Sequence, residues 1–80
     1  MEKQWVLEKL QSIFQDIFGD YELKIDENTS PVDIEAWDSL TQISILEVVQ
    51  DEFNISFSLD EMIELTDVGK MVGAIVCRIS

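Results

Sequence analysis

The sequence predicts an all-α fold, a small helical bundle of three principal helices plus one short helix. Three observations carry that expectation. Apolar residues recur at three- and four-residue intervals over three long stretches, and glycine or capping residues stand at their ends. The segment Phe53-Asn54-Ile55-Ser56-Phe57 does alternate, but one five-residue strand would have no partner to pair with, so it reads as an extended connector.

The first helix is expected over Glu2 to Phe18, with Val6, Leu10, Ile13, Phe14, Ile17 and Phe18 on one face and Gly19 at the point of exit. Asp20 to Trp37 holds Asn28, Thr29, Ser30 and Pro31 and keeps no period, which indicates a long connection with room for a short turn. Connections of that length in a small domain are commonly functional or mobile. The second helix is expected from about Ser39 to Phe53, with Ile43, Leu46, Val49 and Phe53 toward the core and Asn54 as terminator. Ser58 and Glu61 form the pattern of a capping box, followed by Met62, Ile63 and Leu65 in a helix hardly longer than two turns. Thr66 or Asp67 then caps the last helix, whose apolar face is Val68, Met71, Val72, Ile75 and Ile79, with Arg78 placed favourably against the helix dipole. Trp5, Tyr21, Trp37 and the four phenylalanines are mostly at spacings that pack a bundle, so they read as scaffold.

Eighty residues make one domain with a small core, and 46% hydrophobic residues suffice to form it despite a net charge of −12. With five Lys and Arg in total and a pI near 4.1, the chain is not expected to bind nucleic acid or an anionic membrane. Its natural partners are basic protein surfaces. No apolar run approaches a membrane span, and no basic segment followed by an apolar one opens the chain, so it reads as soluble and cytoplasmic; a monomer is expected. Cys77 has no second cysteine to pair with and reads as incidental. Asp26, Asn28 and Ser30 resemble the start of a calcium loop, but Pro31 stands where glycine is needed and Trp37 where a bidentate glutamate belongs. No metal site is expected. Histidine is absent, which removes the usual general base for a serine or cysteine nucleophile and argues against an enzyme.

The informative feature is Asp38-Ser39-Leu40. From residue 25 to residue 69 there are twelve Asp or Glu and no Lys or Arg, so the Ser39 hydroxyl lies in a negative field at a helix start. Unpaired amides there would stabilise a phosphate carried on the side chain. Ser39 with Gln42 also fits a capping box, and either Asp38 or Ser39 could simply cap the helix. At 100° per residue, Leu40, Ser44, Glu47 and Asp51 share the face opposite Ile45, Leu46, Val49 and Phe53. An exposed leucine among carboxylates suits the docking of a basic surface, although a solvated face is the commoner origin of such charges.

Glu35-Ala36-Trp37-Asp38-Ser39-Leu40, the acidic helix after it, Phe53 to Phe57 and Thr66-Asp67-Val68-Gly69 together resemble an acyl carrier protein over essentially the whole chain. The resemblance implies one carrier domain over residues 1–80, with Ser39 as attachment point for 4′-phosphopantetheine. The arm would come from coenzyme A through a separate magnesium-dependent phosphopantetheinyl transferase. By the same resemblance Asp38 assists that transferase, and Leu40, Ile43, Glu47, Gln50 and Asp51 form the docking helix for acyl-loading and acyl-transferring enzymes with basic surfaces. Trp37 stands where fatty-acid carriers usually have a small residue, and Ser44 where an acid is frequent. In this the chain is more similar to discrete carriers of secondary-metabolite, polyketide or surface-glycan pathways. The competing expectation is an unmodified acidic helical module that binds a basic protein, with Ser39 only a cap.

Overall fold

A computed structural model describes residues 2–79 as four helices: α1 (Glu2–Phe18), α2 (Ser39–Phe53), α3 (Leu59–Glu64) and α4 (Val68–Ile79). The all-α expectation holds, and among the described residues there is no strand. Helix α1 packs against both α2 and α4, while the short α3 lies against α2. The core between them is Val6, Leu10 and Phe14 from α1, Ile45, Leu46 and Val49 from α2, and Val68, Met71, Val72 and Ile75 from α4. Each of these apolar side chains contributes about 1.5–3 kcal/mol by leaving water, and that burial holds the bundle together.

The ends of the helices follow from local chemistry. Gly19 takes φ +65, a left-handed conformation natural to glycine, and the next amide, Asp20, donates to the carbonyl of Gln15. Asn54 adopts the same region at φ 56 and closes α2 through its amide on the Gln50 carbonyl. The capping box of α3 is present in both directions, Ser58 accepting from the Glu61 amide and Glu61 from the Ser58 amide. At α4 the choice between Thr66 and Asp67 falls to Asp67, whose Oδ1 accepts from Lys70 N at 2.7 Å. Arg78 sits in the last turn of α4 as expected and does more than face the dipole. It donates to the Ser56 carbonyl at 2.9 Å, pairs with Glu61 and lies 4.7 Å from the Phe57 ring centroid, which fastens the α2–α3 connector to α4.

The connection from residue 20 to residue 38 is not the loose segment that its lack of period suggested. Two glutamines of α1 hold it from beneath: Gln15 donates to the Leu23 carbonyl at 2.9 Å, and Gln11 accepts from the Ile25 amide at 3.0 Å. Asp26 and Thr29 bond to one another's backbone and side-chain groups, and Asn28 N donates to Asp26 Oδ1, ordinary turn chemistry for these residues. Val68 N donates to the Thr29 carbonyl at 3.0 Å, so the loop is tied to the start of α4. Ile25 and Trp37 are buried at either end of the segment.

Gly69 shows how tight that junction is. A Cβ built there would lie 2.7 Å from the backbone oxygen of Glu27, so only glycine lets loop and helix approach this closely. Two aromatic expectations need correction. Tyr21 is 72% exposed because it stands on the turn outside the bundle, and Trp5 is half-exposed, meeting Phe53 edge-on at 5.5 Å on the outer seam of α1 and α2.

Candidate functional site

Helix α2 starts where the connection turns outward after Trp37. Asp38 is its N-cap: extended at φ −114 and ψ −173, it accepts from the Thr41 amide through Oδ1 at 2.8 Å and from the Gln42 amide through its carbonyl at 2.9 Å. The Thr41 amide foremost, then the Thr41 hydroxyl, holds the Asp38 carboxyl below the usual aspartate range. Ser39 is therefore the first helical residue and not the cap. Its side chain is exposed, and no hydrogen bond to its hydroxyl is found among the described residues.

Two expectations about this corner change. Gln42 does not close a capping box on Ser39, because its amide is turned inward. Its Oε1 accepts from the Trp37 indole at 2.8 Å, and its Nε2 donates to the carbonyls of Met62, at 3.2 Å, and Leu65. Gln42 thus clips the start of α2 to the end of α3. Nor is the helix start an empty cradle for phosphate, since the Asp38 carboxylate already occupies the Thr41 amide and offsets the local positive end of the dipole. A phosphoryl group on Ser39 would stand outward, toward solvent or a bound enzyme.

Beside Ser39 opens a cleft of about 380 Å³ lined by Pro31, Trp37, Ile43, Ile63 and Thr66 together with Gln42 and Asp38. Along the outer face of α2, Leu40 is 80% exposed, and Ser44, Glu47 and Asp51 are exposed beyond it. Ile43 is half-buried at the cleft wall. Gln50 departs from the docking stripe: its Nε2 donates to the Leu46 carbonyl at 3.1 Å and its Oε1 accepts from Phe57 N at 2.8 Å, so the amide braces the turn after α2. Sequence reasoning missed Val32, Leu59 and Ile63, which are 92%, 64% and 59% exposed, Ile63 in the cleft wall. The sequence groups Ile63 with Met62 and Leu65 as the apolar residues of α3, and in so short a helix no period separates inner from outer positions.

The fold is thus an acidic helical bundle that displays a serine at the start of α2, beside an open cleft with apolar walls. A family profile described as the phosphopantetheine attachment site matches residues 8–75, and the chain belongs to that family, whose cofactor is covalently bound 4′-phosphopantetheine. Among solved structures, the chain is similar to the holo acyl carrier protein from Geobacter metallireducens determined by solution NMR. The two are 30% identical, the match covers 92% of this chain and 85% of that one, and the TM-score is 0.83. No curated protein matched in a sequence search. The residues at the helix start fit the group, because the exposed hydroxyl has space on its outward side and no internal hydrogen bond to break.

Proposed function

We propose that Ser39 bears the 4′-phosphopantetheine arm and that the protein is a non-catalytic carrier, the substrate of separate enzymes. The observation that carries this is the exposed, unbonded hydroxyl at the first position of α2, set off by Asp38 and Leu40. In the modification, the Ser39 oxygen attacks the phosphorus of coenzyme A that bears pantetheine. The new Oγ–P bond replaces the bond to adenosine 3′,5′-bisphosphate, which leaves, and the hydroxyl proton passes to a base of the transferase. When bound, the arm supplies a thiol on a long tether, on which acyl groups ride as thioesters at high effective concentration beside each partner enzyme.

The chain's own residues position and present. Asp38 fixes the helix start and sets a negative charge beside Ser39, which suits recognition by a cationic transferase. Leu40 offers an apolar contact, Ile43 backs it from the cleft wall, and Glu47 and Asp51 attract Lys and Arg of the partner. The ion pairs found among the described residues, Lys3–Glu27, Lys9–Glu52 and Arg78–Glu61, involve carboxylates off this stripe. Gln50 supports the face through the backbone it braces. The cargo is an acyl or related intermediate in a secondary-metabolite, polyketide, fatty-acid or surface-glycan pathway, handled by a monomer in the cytoplasm. No described helix is long and apolar enough to cross a membrane.

Incubation with coenzyme A and a promiscuous transferase, read by intact mass, tests the reading. Gain of one arm by the parent protein and none by Ser39→Ala is the expected result. An unmodified interaction module would gain nothing and would bind its partners unchanged after Ser39→Ala.

A further inference from the structure

Trp37 closes the inner end of the cleft beside Ser39. Its indole is 5% exposed and meets the fully buried Phe14 of α1 edge-on at 5.1 Å, so it fills the space between the cleft and the bundle core. Its ring nitrogen is held by Gln42, and the same Gln42 amide binds two carbonyls at the end of α3. To let an apolar chain pass inward at Trp37, the indole must leave Phe14 and give up its hydrogen-bond partner. The Gln42 amide would then keep only one side of its bonding inside a part-buried site. On the other side of Trp37 the cleft is open to solvent and flanked by Ile43 and Ile63, so a short apolar group tethered at Ser39 has somewhere to lie.

We infer that Trp37, pinned by Gln42, is a specificity-determining plug. The protein shelters a short acyl group in the surface cleft and leaves the outer carbons of a long one in solvent or to the partner enzyme. The inference rests on Ser39 carrying the arm, and it adds which cargo this chain can cover.

The test uses the full chain loaded from butyryl-, octanoyl- and dodecanoyl-coenzyme A by a promiscuous transferase, each product confirmed by intact mass, with Tm then measured. In the parent protein Tm is expected to stay level from octanoyl to dodecanoyl. In Trp37→Ala, which opens room beneath Ser39, it is expected to climb with chain length, by roughly 10–25 °C from octanoyl to dodecanoyl if the four added methylenes are enclosed. A parent Tm that climbs in the same way, or a folded Trp37→Ala whose Tm stays level, overturns the inference.

A second measurement does not need Trp37→Ala to fold. In Trp5→Phe the remaining indole is Trp37, and its emission maximum and acrylamide quenching are expected to be the same with butyryl and dodecanoyl arms. A red shift and increased quenching with dodecanoyl would show the plug displaced and overturn the inference. Failure of every arm to add mass would overturn the carrier reading itself and the inference with it, whereas loading followed by a length-dependent Tm overturns the inference alone.

Discussion

Along α2, two stripes run side by side with opposite chemistry. Ile45, Leu46 and Val49 are fully buried against the other helices, while Leu40, Ser44, Glu47 and Asp51 face solvent. The inner stripe draws its stability from water excluded on folding. The outer stripe leaves a large leucine in water and two carboxylates, Glu47 and Asp51, outside the ion pairs found among the described residues, an arrangement that costs the isolated protein a little and favours a basic partner. One helix therefore carries both fold and display, and substitutions on its two sides should act on different observables.

The strongest way to break the contrast is to hollow the inside and trim the outside separately. Phe14→Ala removes a fully buried ring that packs on Trp37, and unfolding by urea should show a loss of about 3–5 kcal/mol. Leu40→Ala should leave stability within about 0.5 kcal/mol and raise the transferase's KM about fivefold or more. If Leu40→Ala unfolds the protein, or leaves the KM untouched, the outer stripe has been misread.

Two glycines of α4 sharpen the same contrast between packed and open positions. Gly69→Ala drives a methyl group into the Glu27 backbone oxygen and should lower stability by about 1–3 kcal/mol. Gly73 has nothing within 4 Å of a new Cβ and is exposed in mid-helix, so Gly73→Ala should raise stability by about 1 kcal/mol. Both are measured by chemical denaturation, and equal effects of the two would contradict the tight loop–helix junction.

A smaller effect concerns Asp38. Its folded pKa is depressed by the Thr41 amide, so its charge contributes stability in full above the ordinary aspartate range. That contribution is lost as pH falls through the depressed folded value. Asp38→Asn keeps a capping oxygen and removes the titration. The Tm advantage of the parent over Asp38→Asn should be present near about pH 7 and shrink toward about pH 3. A difference that is constant across that range would remove the charge from the account.

Much of the fold was legible because helices announce themselves by period and by caps. The Ser58–Glu61 box, Asn54 and Gly19 all stand where their chemistry placed them. The bracing was not legible. Gln11, Gln15, Gln42 and Gln50 bind groups in irregular segments eight to twenty-three residues away or around a turn, and nothing in their spacing reveals partners that only the tertiary fold supplies. Gln42 therefore reads as the capping-box partner of Ser39, and Gln50 enters the docking helix through the family resemblance alone. At the site, Asp38, Ser39 and Leu40 were visible as a motif, but which of Asp38 and Ser39 caps the helix was decided by backbone geometry. The exposed Val32, Leu59 and Ile63 carried no sequence signal, because burial in short or aperiodic segments is set by what happens to lie above them.

The most direct measurement is the site of modification itself. After incubation with coenzyme A and a transferase, peptide mapping of the product should place one phosphopantetheine on Ser39, with Ser39→Ala folded by circular dichroism and unmodified. An arm found on any other serine, or a modified Ser39→Ala protein, would contradict the assignment at its root.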